Sequence, residues 1–118
     1  MPTPRERCEH IGGAINAIFA DINGHTEQAF LADDSLQAAC YYRLIVIGEA
    51  GDLLLKSSAN EIGQHAPNLL QTLPSAHRMR TFLAHYYHRV DPKIVWDTIQ
   101  MHLPQLSADI HALHAVLP

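Results

Sequence analysis

The sequence is short of cysteines, of basic residues and of long apolar runs, and each shortage removes a class of protein. Its two cysteines, Cys8 and Cys40, lie in separate apolar segments with no CxxC spacing. They form no disulfide framework or zinc site and read as two buried free thiols, with a single disulfide as the minor alternative. The longest run of large aliphatic residues is Leu44 to Ile47, far short of the ~20 apolar residues that span a membrane. The opening MPTPRERCEH lacks the apolar core of a signal peptide. A soluble, cytoplasmic protein is the expectation, with no membrane partner. Eight basic residues against twelve acidic ones give a net charge of −4, which argues against a broad polyanion-binding surface. There is no HExxH, and no Glu-x-x-His pair of the di-iron bundle kind. The nine histidines, including the i, i+3 pairs His85/His88 and His111/His114, therefore read as surface residues. No metal or other cofactor is expected.

What is present is enough apolar material for one core. Apolar residues make up 47% of 118, so residues 1–118 read as a single domain needing no covalent staple. The spacing is helical throughout. Cys8, Ile11, Ile15, Ile18, Phe19 and Ile22 recur at three and four residues, predicting a helix begun near Pro4 and closed by Gly24. Thr26 to Leu31 fits one or two turns. A long helix from about Leu36 to Ser57 or Ser58, capped by Asp33, Asp34 or Ser35, is apolar nearly all round and should be the central one. Gly48 and Gly51 within it predict close approach by a neighbour. Residues 59–68 read as a loop or a loosely helical link, and a fourth helix begins between Leu69 and Ser75. Val90-Asp91-Pro92 gives an N-cap aspartate followed by proline, the start of a last helix in which Pro104 should make a kink or loosen a turn. The fold class is all-α, an up-and-down bundle of four to five helices.

The chemistry concentrates in Arg78 to Asp91, RMRTFLAHYYHRVD. From His77 to Lys93 there are four basic residues (Arg78, Arg80, Arg89, Lys93) against Asp91, a balance of +3. The other four basic and eleven acidic residues give −7, so the positive charge is local and suits a locally held anion. Arginine offers a permanently charged fork for phosphate, and histidine can take and give a proton near neutral pH. Arg80 and His85, with no carboxylate cluster, therefore suggest metal-free phosphoryl transfer on RNA. His85 would promote attack by a 2′-hydroxyl, and Arg80 would stabilise the developing charge. At roughly 100° per residue the two point about 140° apart on one straight helix. Either the helix ends or distorts before Asp91 and swings His85 and Tyr87 inward, or a two-fold dimer sets Arg80 of one chain against His85 of the other. The competing reading of Arg80 is an ion pair with Glu49 or Asp91. Glu49, if buried, would need such a partner and would orient the arginine. Trp96 reads as a core or interface anchor.

R-x4-H-x-Y, present as Arg80, His85 and Tyr87, is followed by VDPKIVW (Val90 to Trp96) and preceded by VIGEA (Val46 to Ala50). In this order and at this length the chain resembles the HepT family, HEPN-domain toxins of the MntA–HepT type of toxin–antitoxin system. The resemblance implies a HEPN-like helical bundle that dimerises through the motif helix, both subunits lining a cleft. It implies a metal-independent endoribonuclease that restrains growth, acting on an RNA substrate, with Arg80 and His85 catalytic. It also implies a partner nucleotidyltransferase antitoxin, MntA-like, that silences the toxin by transferring AMP to Tyr87, and allows a higher oligomer with that partner. Two positions depart from the family pattern. Thr81 stands where Asn or another strongly polar residue is frequent, and Tyr86 where glycine is common. They bear on catalytic strength and not on the fold. The alternative from another class is a non-catalytic HEPN module that binds nucleotide or docks the nucleotidyltransferase.

Overall fold

The computed structural model describes residues 1–118 and contains helices only. Helix α1 (Pro4–Ile22) opens with a reciprocal cap, in which Glu6 N donates to Thr3 Oγ1 and Thr3 N donates to Glu6 Oε1. It closes at Asn23, with Gly24 in the left-handed region at φ 80°. Helix α2 (Glu27–Leu31) is a short turn capped by Thr26. Helix α3 (Asp34–His65) starts where Asp33 accepts from Leu36 N and is the central element, packed against α1 and α4 (Leu69–His85). After α4 comes a 3-10 turn, Tyr87–Arg89, then α5 (Pro92–Met101) and α6 (Leu103–His114). Helices α1, α3, α4 and α6 enclose the core, and α5 lies against α2. The thiols of Cys8 and Cys40 are free and buried. Burial pushes both up from 9.0 to about 11, with nearby Glu9 and Asp21 adding to it. Trp96 packs on Phe30 with ring centroids 5.3 Å apart, the anchor its sequence position suggested. No helix is long and apolar enough to cross a membrane.

At one boundary the structure decides between the two sequence expectations, and at another it departs from them. Residues 59–65 are helical: α3 bends at Ser58 (φ −136°, ψ 29°) and continues to His65. Ile62, fully buried, fixes this extension to the core, a burial that contributes on the order of 1.5–3 kcal/mol. The last segment is two helices broken at His102 rather than one kinked helix. Pro104 sits in the first turn of α6, where its missing N–H removes no hydrogen bond.

The α3–α4 contact decides where the motif sits. A Cβ on Gly48 would lie 2.6 Å from the carbonyl oxygen of Ala76 and would overlap the Cβ of Arg80. One on Gly51 would lie 3.0 Å from Leu73 Cδ2. The glycines let α4 ride directly on the backbone of α3, as their presence in a packed helix suggested.

Candidate active site at the end of helix α4

The stem of Arg80 is seated over Gly48, and its guanidinium reaches along α3 to Glu49, with Nη2 3.3 Å from Oε2. Its side chain is 30% exposed, while Nε is buried without a hydrogen-bond partner. Of the two acids weighed for Arg80, Glu49 is the one in contact. Asp91 is occupied in capping α5, accepting from Lys93 N at 3.0 Å. The hydroxyl of Thr81 donates to His77 O at 3.1 Å, which ties it to its own helix. One turn before Arg80, His77 Nε2 lies 4.0 Å from Asp52 Oδ2. A hydrogen bond from Lys56, with the charges of His77 and Arg80 adding, holds the Asp52 carboxyl below its ordinary range.

His85 is the last residue of α4. Tyr86 N donates to Phe82 O and closes the helix, and Tyr86 leaves helical geometry at φ −127°, ψ 37°. The helix does end before Asp91, as one of the two geometric solutions required, but it does not swing the motif inward. His85, Tyr86 and Tyr87 are all exposed, Tyr87 at 75%. No side-chain hydrogen bond or ion pair within the chain engages His85. Arg80 faces α3 and His85 faces outward, so a single chain does not bring the pair to one point.

On the outward face His85 has other company. Arg78, Phe82 and His85 follow one another at four and three residues, two turns along one side of the helix. Phe82 stacks against Tyr86 with centroids 5.6 Å apart and planes tilted by 33°. The ring of Tyr87 meets His88 edge-on at 5.6 Å. The sequence reading fixed on Arg80 and passed over Arg78 and Phe82, although their spacing from His85 was the available signal. The local charge excess is also smaller than the count implied. Lys93 is held by Glu27 at 3.1 Å and Asp97 at 3.4 Å, and Arg80 by Glu49. Arg78 and Arg89 are the two arginines of the segment that form no ion pair; Arg78 donates instead to Ser75. A cavity of about 450 Å³, bordered by Leu44, Ile47, Met79, Leu103 and Leu106, contains none of the motif residues. No group of three His, Cys, Asp or Glu side chains is placed to hold a metal ion.

The model of the family described as "Ribonuclease HepT-like" matches residues 11–113, a span that includes Glu49 and the whole motif. The chain belongs to the HepT-like ribonuclease family. A protein of Caldanaerobacter subterraneus subsp. tengcongensis named "Putative RNase TTE0752" is 29% identical over 110 residues, 93% of each chain. No solved structure matches. In this HepT-like ribonuclease family member the motif lies at an open edge of the bundle, at the junction of α4 with the 3-10 turn.

Proposed function

We propose that this HepT-like ribonuclease is the toxin of a toxin–antitoxin pair, a metal-independent endoribonuclease whose site is completed by two copies of the chain. The observation that carries the reading is the split of the motif. Arg80 is fixed on the α3 side, while His85 and Tyr87 stand exposed and unpartnered at the end of the same helix. A two-fold pairing of the α4 ends would set Arg80 of one copy against His85 of the other.

In the proposed reaction, neutral His85 takes the proton of a ribose 2′-hydroxyl. The 2′-oxygen then forms a bond to the adjacent phosphorus, and the bond to the 5′-oxygen breaks. The products are a 2′,3′-cyclic phosphate and a 5′-hydroxyl, whose proton comes from water while the imidazolium returns its own to solvent. Arg80 donates to the phosphoryl oxygens as their charge grows. Glu49 acts as a positioning residue that keeps the guanidinium extended along α3. The donor set favours chemistry without a metal. The carboxylates on this stretch of α3, Glu49 and Asp52, are matched to Arg80, Lys56 and His77 and are not left to converge on a cation. The exposed phenol of Tyr87, 75% accessible beside His85, is an open acceptor for AMP from a nucleotidyltransferase antitoxin. The added phosphate and nucleoside would occupy the ground an RNA strand needs.

The test is cleavage of single-stranded RNA in EDTA by protein whose intact mass carries no AMP. Wild type is expected to cleave and His85→Ala not to, with the variant folded. Folded, unmodified wild type inert on several RNAs would contradict the nuclease reading and leave the non-catalytic docking module.

A further inference from the structure

Two large aromatic side chains lie at the rim beside His85. Phe82 is 39% and Tyr86 45% exposed, whereas Met79 and Val90 on either side of them are partly buried against the hydrophobic core. Their rings stack on each other, and the Tyr86 hydroxyl has no protein partner. Isolated exposed aromatics are ordinary. A stacked pair immediately beside His85, with two arginines that no acid neutralises, is a more particular arrangement. Arg78 lies one turn before Phe82 on the same face, and Arg89 lies in the turn after Tyr86.

We infer that the Phe82–Tyr86 pair is a stacking platform for an unpaired RNA base beside the scissile phosphate, with Arg78 and Arg89 holding flanking phosphates. The inference rests on the ribonuclease reading and narrows its substrate to single-stranded RNA. Charge decides the occupant: an apolar aromatic surface flanked by free guanidinium groups matches the alternation of base face and phosphate along a nucleic-acid strand. Stacking requires a base face that is not already covered, so a continuous A-form duplex cannot use the platform, whereas a loop or single strand can. From Arg78 to His85 the helix rises about 10 Å, so the strand passes from phosphate to base to the reacting group along one face.

The experiment measures binding apart from chemistry. A 2-aminopurine-labelled single-stranded RNA and its duplex are titrated against the folded, AMP-free His85→Ala protein, with and without Phe82→Ala and Tyr86→Ala together. Removing the rings should weaken single-strand binding by about 5- to 150-fold, the size of one base–aromatic stack, abolish the fluorescence quench, and leave duplex binding unchanged. Tyr86→Trp in place of the alanine should restore both. Arg78→Ala should lower the slope of log K against log salt by about 0.7. Unchanged single-strand affinity overturns the inference and leaves the patch to a protein: a second copy if the alanine variant turns from dimer to monomer, a different chain if its mass is unchanged. An equal loss on duplex also overturns it. Wild type that cleaves no RNA would sink the nuclease reading itself. Cleavage that proceeds with unchanged affinity after the rings are removed would sink only the platform.

Discussion

Helix α4 is two structures in one. Its inner part, up to Thr81, lies on α3 so closely that Gly48 and Gly51 have no room for a methyl group without displacement, and Arg80 is held there by Glu49. Its outer part, from Phe82 through the 3-10 turn to Arg89, has Leu83 as its one buried residue, and its chemistry-bearing side chains are exposed. The inner half holds a fixed cation; the outer half presents an imidazole and aromatic surface at an open rim. The site proposed above would place its positioning in the core and its chemistry where a second molecule can reach it.

Breaking each half should give opposite signatures. His85→Ala should lower RNA cleavage by about 10²–10⁴-fold, the usual worth of a general acid–base group, while urea unfolding shifts by less than about 0.5 kcal/mol. Stability lost in step with activity would mean that His85 is structural. Gly48→Ala should do the reverse first. Its new methyl meets the Ala76 carbonyl and the Arg80 stem, so α4 must lift, at a cost of about 1–3 kcal/mol in chemical denaturation. Cleavage should fall with it because Arg80 is displaced. Gly51→Ala meets only the flexible end of Leu73, and the gain in helix propensity, roughly 1 kcal/mol, opposes that crowding. Its melting curve should stay within about 1 kcal/mol of wild type.

A further effect, confined to alkaline pH, lies away from α4. Cys8 and Cys40 are pushed up from 9.0 to about 11 by burial first. The folded chain therefore keeps its thiol protons where the unfolded chain has lost them. Stability should be unaffected below pH 9 and decline as pH rises from about 9 towards 11, because the unfolded state binds fewer protons there. Cys8→Ser with Cys40→Ser should flatten that alkaline limb in denaturant titrations, even though the serines lower stability overall.

Much of the inner half was legible in the sequence. Three-and-four spacing marked α1 and α3, Asp91-Pro92 marked the start of α5, and Gly48 and Gly51 announced a close helix contact, because these signals are local and set by backbone sterics. The extension past Ser58 was legible only as one of two alternatives, since Ile62 alone anchors it and one apolar residue sets no period. The break at His102 was hidden because Pro104 fits either a kink or a new first turn. The rim was the least legible. Ion pairs such as Lys93 with Glu27 join residues far apart in sequence, so a count of charges along the chain overstated the positive field. The outward face of Arg78, Phe82 and His85 was not legible because the Arg80–His85 spacing does not show which side of α4 packs on α3.

The central claim, that the fixed arginine of one copy serves the exposed histidine of another, is tested most directly by subunit complementation. Arg80→Ala and His85→Ala chains, each inactive alone, are unfolded together, refolded, and assayed on single-stranded RNA in EDTA. A composite site predicts recovery of about a quarter of wild-type cleavage. Half of randomly paired dimers are mixed, and each mixed dimer holds one intact Arg80–His85 pair of its two sites. If mixed dimers form, as a mass-tagged pair would show, and no activity returns, the arginine and histidine work within one chain and the account is wrong.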